Sequence, residues 1–153
     1  MFEKILYPTD FSEVSTKALG HITQLESAGL KQVVVLRVID QKKVETISRG
    51  VGWAGLGVAD FLQQTTQWME NEAQKEMESI EAKLREVGIE VKVRVETGDP
   101  RTRINEVAEE EDVSAIVLGS HGRNNVGSVL LGSVATNVIH HSKRPVVVIK
   151  RDI

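Results

Sequence analysis

The chain has 153 residues, 41% of them hydrophobic and 27% charged, with a net charge of −3 and no cysteine. This fits one soluble domain able to bury a core, excludes disulfides, thiolate metal sites and cysteine nucleophiles, and sets up no field favouring nucleic acid or an anionic membrane. No apolar stretch approaches the roughly 18 residues of a membrane helix, and Glu3 and Lys4 stand where a secretory leader would need an apolar core, so a cytoplasmic protein is expected.

Lys4-Ile5-Leu6-Tyr7 forms a short apolar strand that stops at the turn Pro8-Thr9-Asp10. Ser12 is placed to cap a helix with Val14, Ala18, Ile22 and Leu25 on one face, and Gly29 ends it. The run from Val33 to Ile39 is nearly unbroken and β-branched, as in a strand covered on both faces. From about Gln41 to Ala59 the chain turns polar and glycine-containing, which reads as a flexible linker or lid. Met69, Ala73, Met77, Ile80, Leu84 and Val87 then step by three or four along a long helix closed by Gly88.

In the next strand Ile89, Val91, Val93 and Val95 alternate strictly with Glu90, Lys92, Arg94 and Glu96, the pattern of a half-exposed sheet edge. Asp99-Pro100 opens a helix as N-cap and first residue, with Ile104, Val107 and Ala108 inward. The acidic run Glu109 to Asp112 reads as its solvated end. Ala115 to Leu118 is a buried strand, and Ser133 to Ser142 a helix with Val134, Ala135, Val138 and Ile139 inward. Pro145 to Ile149 is the last strand.

Strand and helix thus alternate four times before a fifth strand, which argues an α/β fold, a parallel sheet with helices on both faces. Ligands of such sheets sit beyond the carboxyl ends of the strands, at the switch point. Two loops leave strands there, Pro8-Thr9-Asp10 and the glycine-rich segment from Gly119.

Two glycine clusters compete for an anion-binding role. Gly50-x-Gly52-x-x-Gly55 spells a dinucleotide fingerprint, but the polar residues before it are no buried strand, and the fingerprint needs one. Trp53, Leu56 and Phe61 nearby read as core packing or as cover for a ligand. Gly119 to Ser133 has a strand before it and a helix after it. Gly119 and Gly122 would let the backbone approach a ligand, and Gly132-Ser133 opens a helix whose free N–H groups and positive dipole end suit phosphate. Gly127-x-x-x-x-Gly132-Ser133 also approaches a P-loop, but Ser133 stands where that motif carries Lys. His140-His141, adjacent near a helix end, point about 100° apart on a helix of 3.6 residues per turn and cannot readily chelate one ion.

Gly119-x-x-Gly122, nine residues, then Gly132-Ser133 resembles the signature of universal stress proteins, in the nucleotide-binding branch of that family. Ile5 to Asp10, Glu96 to Pro100 and the closing Arg144 to Lys150 agree in order, so the likeness spans essentially the whole chain. It implies strand order 3-2-1-4-5, as in adenine nucleotide alpha hydrolase-like folds. It also implies a bound ATP, ADP or AMP, with Mg or Mn carried, if at all, by the nucleotide. Pro8, Thr9 and Asp10 would border the adenosine, although Asp10 can also cap its own turn. Val38 would offer backbone groups to adenine. Gly119, Ser120, His121, Gly122 and Arg123 would surround ribose and phosphate, Arg123 being alternatively a solvated cation. Gly132, Ser133 and Val134 would donate to phosphate. The function implied is a stress-response sensor or signalling module, with a slow ATPase or nucleotidyl-transfer enzyme as the alternative.

In that strand order the last strand lies at an edge, yet Val146, Val147, Val148 and Ile149 are apolar on both faces. Exposed β-branched edges template aggregation. A homodimer through this strand is therefore expected, with the nucleotide sites outside the interface.

Overall fold

The run of β-branched residues at 33–39 becomes the second strand of a five-stranded parallel sheet ordered β3-β2-β1-β4-β5. The computed structural model describes residues 2–52, 57–122 and 130–151. The strands are β1 (Lys4–Pro8), β2 (Gln32–Asp40), β3 (Glu90–Gly98), β4 (Ala115–Gly119) and β5 (Val146–Ile149). The helices are α1 (Glu13–Gln24), α2 (Gln41–Gly52), α3 (Val58–Glu86), α4 (Pro100–Glu110) and α5 (Ser133–His141). β1 pairs with both β2 and β4, so the chain reverses direction across the sheet between β1 and β4.

Period-two alternation divides the core between two faces. Ile5, Tyr7, Val33, Val35 and Val117 pack with α1 and with Met77, Ile80 and Leu84 of α3. Leu6, Val34, Leu36, Val38, Ile116 and Leu118 pack with Ile104 and Val107 of α4 and Val138 of α5. Caps start two helices as their sequences direct. Ser12 Oγ accepts from Ser15 N at 3.2 Å, and Asp99 Oδ1 accepts from Arg101 N at 3.0 Å with Pro100 opening α4. Gly29 and Gly88 close a 3-10 turn (Leu25–Ala28) and the end of α3 with φ of +97° and +85°, a conformation strained for residues with a Cβ.

Several expectations need correction. The supposed flexible linker holds α2, which starts directly after β2 with Asp40 Oδ1 accepting from Lys42 N. It packs on α3 and buries Val44 and Ser48, so its polar residues are the outer face of an amphipathic helix. α3 begins at Val58, well before Met69, because its first turns are at most half-buried and their apolar signal is weak. Ile139 is 41% exposed rather than inward. In the acidic run Glu109, Glu110 and Asp112 are exposed as expected, but Glu111 is not. Glu111 is buried, receiving Lys92 Nζ and Arg94 Nη1 on Oε1 at 2.8 and 2.9 Å, and Lys4 Nζ lies 3.5 Å from its Oε2. The charged side of β3 is thus partly covered by α4. Arg103 pairs with Glu96, Glu106 and Glu110, and Arg94 with Glu96 and Glu110.

Candidate functional site

At the carboxyl end of the sheet a cleft of about 670 Å³ opens over β1, β2 and β4 and against the start of α5. Its volume lies within the roughly 300–1,000 Å³ usual for small-molecule sites. Pro8, Thr9, Asp10, Val38, Gly119, Ser120, His121, Gly122, Gly132, Ser133 and Val134 all line it. Arg123, together with Trp53, Leu56 and Gly127, lies outside the described residues.

The turn after β1 is built from its own hydroxyls and carboxylate. Thr9 is buried, and its Oγ1 accepts from Phe11 N at 3.1 Å and from Ser15 Oγ at 2.7 Å. Tyr7 sits below, donating to Ser15 O at 2.7 Å, and burial pushes its phenol above the ordinary value. Thr9's side chain is therefore spent on the turn, leaving its backbone to border a ligand. Asp10 Oδ1 accepts from Ser12 N at 3.0 Å, so the residue does cap its own turn. Its Oδ2 faces Gly122, where an added Cβ would stand 2.9 Å away.

Val38 reaches the cleft through its backbone. Thr9 N donates to Leu36 O, so Leu36 turns its peptide groups toward β1. Backbone groups alternate sides along a strand with period two. Val38 therefore points its groups the same way, past Pro8 where β1 has ended and the cleft begins.

The β4 loop is fixed at both ends. Ser120 N donates to Ile149 O at 2.9 Å, and Ser120 O accepts from Gly132 N at 2.8 Å, tying β4, β5 and α5 together. The N-cap of α5 is Gly132, which has no side chain to cap it, in contrast to Ser12 at α1 and Asp99 at α4, so among the described residues its first N–H groups have no side-chain acceptor at the edge of the cleft. Ser120 Oγ lies 2.7 Å from His121 Nδ1, while His121 Nε2 is buried with no hydrogen-bond partner among the described residues.

The glycines divide in role. Gly119 lines the cleft, and its missing side chain also makes room for α1. A Cβ there would meet Val14 Cγ1 at 2.9 Å and Ser15 N at 3.2 Å. Gly132 has φ of −64°, open to any residue, so backbone conformation does not demand glycine there.

Sequence reasoning missed the wall formed by Phe11, Arg37, Lys43, Trp68, Met69 and Glu72. Arg37 was its most legible signal, a cation inside an otherwise apolar strand; its guanidinium lies 5.4 Å from the Phe11 ring centre. Phe11 holds φ of +61°, unusual for a bulky residue. Among the described residues no group of three or more His, Asp or Glu side chains is arranged to hold a metal ion, and no helix is long and apolar enough to cross a membrane.

Comparisons with known proteins bear on the family and the fold. The family model of the universal stress protein family matches residues 1–150. A universal stress protein of Methanocaldococcus jannaschii is 42% identical, over 99% of this chain and 96% of its own. The solved structure of that protein superposes with a TM-score of 0.88 at 38% identity, covering 99% and 98% of the two chains. A universal stress protein of Archaeoglobus fulgidus, solved in complex with dAMP, shares the fold at a TM-score of 0.60 and 21% identity over 98% of each chain. By sequence and by strand order, the chain belongs to the universal stress protein family.

Proposed function

We propose that this protein binds an adenine nucleotide (ATP, ADP or AMP) across the carboxyl end of its sheet, as a sensing or signalling module. The reading rests on one observation above others. The turn after β1, Val38 at the end of β2, Gly119 to Gly122 after β4 and the start of α5 behind Gly132 converge on one cleft. An apolar side made by Val38, Ile104, Leu118 and Val134 suits a base, and the α5 N–H groups suit phosphate. Each helix-terminus interaction contributes about 0.3–1 kcal/mol, up to ~2 when partly buried. Several of them, with base contacts, reach the roughly −8 kcal/mol of micromolar affinity. The dAMP bound by the Archaeoglobus fulgidus protein supports the same ligand class here.

The residues at hand fit the nucleotide better than a resident metal. Asp10 offers one carboxylate beside Gly122, and the described residues hold no three-ligand cage. A divalent ion would travel with the phosphates and neutralise their charge. Ser133 in place of the P-loop Lys favours binding over rapid hydrolysis. We further infer a homodimer through β5, a cytoplasmic setting and a ligand-dependent choice of partner. The decisive experiment denatures freshly purified protein and identifies released small molecules by mass spectrometry. Adenine nucleotide at near-equimolar yield is expected, and its absence from protein that also fails to bind added ATP would refute the reading.

A further inference from the structure

α3 is longer than the sheet it packs on. Its 29 residues span about 43 Å at 1.5 Å each, whereas the nine residues of β2 span about 30 Å. The buried residues of α3 are Ala73, Met77, Ile80 and Leu84, and Gly88 then leads into the amino end of β3. The earlier turns therefore project past the carboxyl edge of the strands, beside the cleft, with α2 packed against them. Trp68 sits on this arm and lines the cleft together with Met69 and Glu72. It is 62% exposed, and it is the only exposed aromatic among the described residues.

A large indole left in water on a helix that has a buried face available calls for a partner. A cleft lined by both an indole and apolar side chains (Val38, Ile104, Leu118) accepts a flat, weakly hydrated ring. A nucleobase has that chemistry, and a phosphate chain does not. We propose that Trp68 is the base-stacking face of the nucleotide site, closing over the purine from the α3 arm. This rests on the nucleotide-binding reading and adds to it a residue that sets base preference. Stacking strength grows with ring area, so Trp68 favours purine over pyrimidine nucleotides. The Phe11–Arg37 stack completes the same wall.

The test uses the full chain with Trp53→Phe, which leaves Trp68 as the single indole. AMP and ATP should quench its fluorescence on binding, and inorganic tripolyphosphate should not. Trp68→Ala should weaken AMP about tenfold, the scale of losing one base–aromatic stack. Tripolyphosphate affinity should stay unchanged, the preference for ATP over UTP should narrow, and Trp68→Phe should recover most of the loss. Wild-type AMP affinity in a folded Trp68→Ala protein would overturn the proposal while leaving nucleotide binding intact. Absence of nucleotide binding by the unmodified chain would instead remove the functional reading and this inference with it.

Discussion

A methyl group added at Gly119 would press on α1, 2.9 Å from Val14 Cγ1 and 3.2 Å from the Val14 carbonyl carbon. Backbone cannot swing aside as a side-chain tip can, so overpacking of about 1–3 kcal/mol is expected. Gly119→Ala should therefore lower the urea midpoint at unchanged slope, and an unaltered midpoint would show that α1 has room to give. At Gly122 the nearest atom is the carboxylate end of Asp10, which can rotate away. Two glycines of one motif thus have different surroundings, the first packed against the backbone of α1 and the second beside a side-chain tip at the cleft. The sequence displays the motif but not this division. Which neighbour approaches a missing Cβ depends on how α1 folds back over β4. Thr9 teaches the same point. Its place in the turn was legible, whereas the engagement of its hydroxyl with Ser15 depends on α1 docking.

Between β3 and α4 the charges act as one unit. Hydrogen bonds from Arg103 and Arg94 hold the Glu110 carboxyl well down, at about 2. The Lys92 ammonium lowers Glu111 against the opposing effect of burial, with Arg94 adding to it. At Glu96 burial acts upward but is outweighed by Arg103 and Arg94, so its carboxyl is lowered too. An unfolded Glu titrates near 4.3. Folded carboxyls below that value bind fewer protons than unfolded ones, so their stabilisation is complete above the unfolded value and is lost as pH falls toward about 2. The urea midpoint should drop between pH 6 and pH 3, and less steeply in Arg94→Met. Equal drops in the two proteins would contradict a stabilising role for the network. At this scale β1, β2, β4 and the caps of α1 and α4 were legible, because hydrophobic runs and capping residues are local signals. The pairing of Glu111 was not, since Lys4 and Lys92 reach it only across the sheet. α2 and the arm of α3 escaped for a related reason: few of their residues are buried, and the tertiary contacts that hold them leave little periodicity.

At the scale of the whole molecule, the edge strand and the cleft are the two surfaces that bear on assembly and function. Among the described residues β5 pairs with β4 on one side only, and Val147 is 37% exposed on it. Ile139 of α5 is 41% exposed. Such an edge is normally covered, and a second copy across a two-fold axis would do so. Light scattering on the purified chain should give twice the monomer mass at micromolar concentration, and Val147→Lys should give monomers or insoluble protein. A soluble monomer of the unmodified chain would refute the dimer. The other surface is the cleft, on which the functional account depends. Its most direct test is calorimetric titration of ATP into the unmodified chain and into Gly122→Val. The account predicts one site per chain at micromolar affinity, and at least about tenfold weaker binding in a variant that still unfolds cooperatively, a loss of about 1.4 kcal/mol. Equal affinity in the two proteins, or no binding to the unmodified chain, would contradict it.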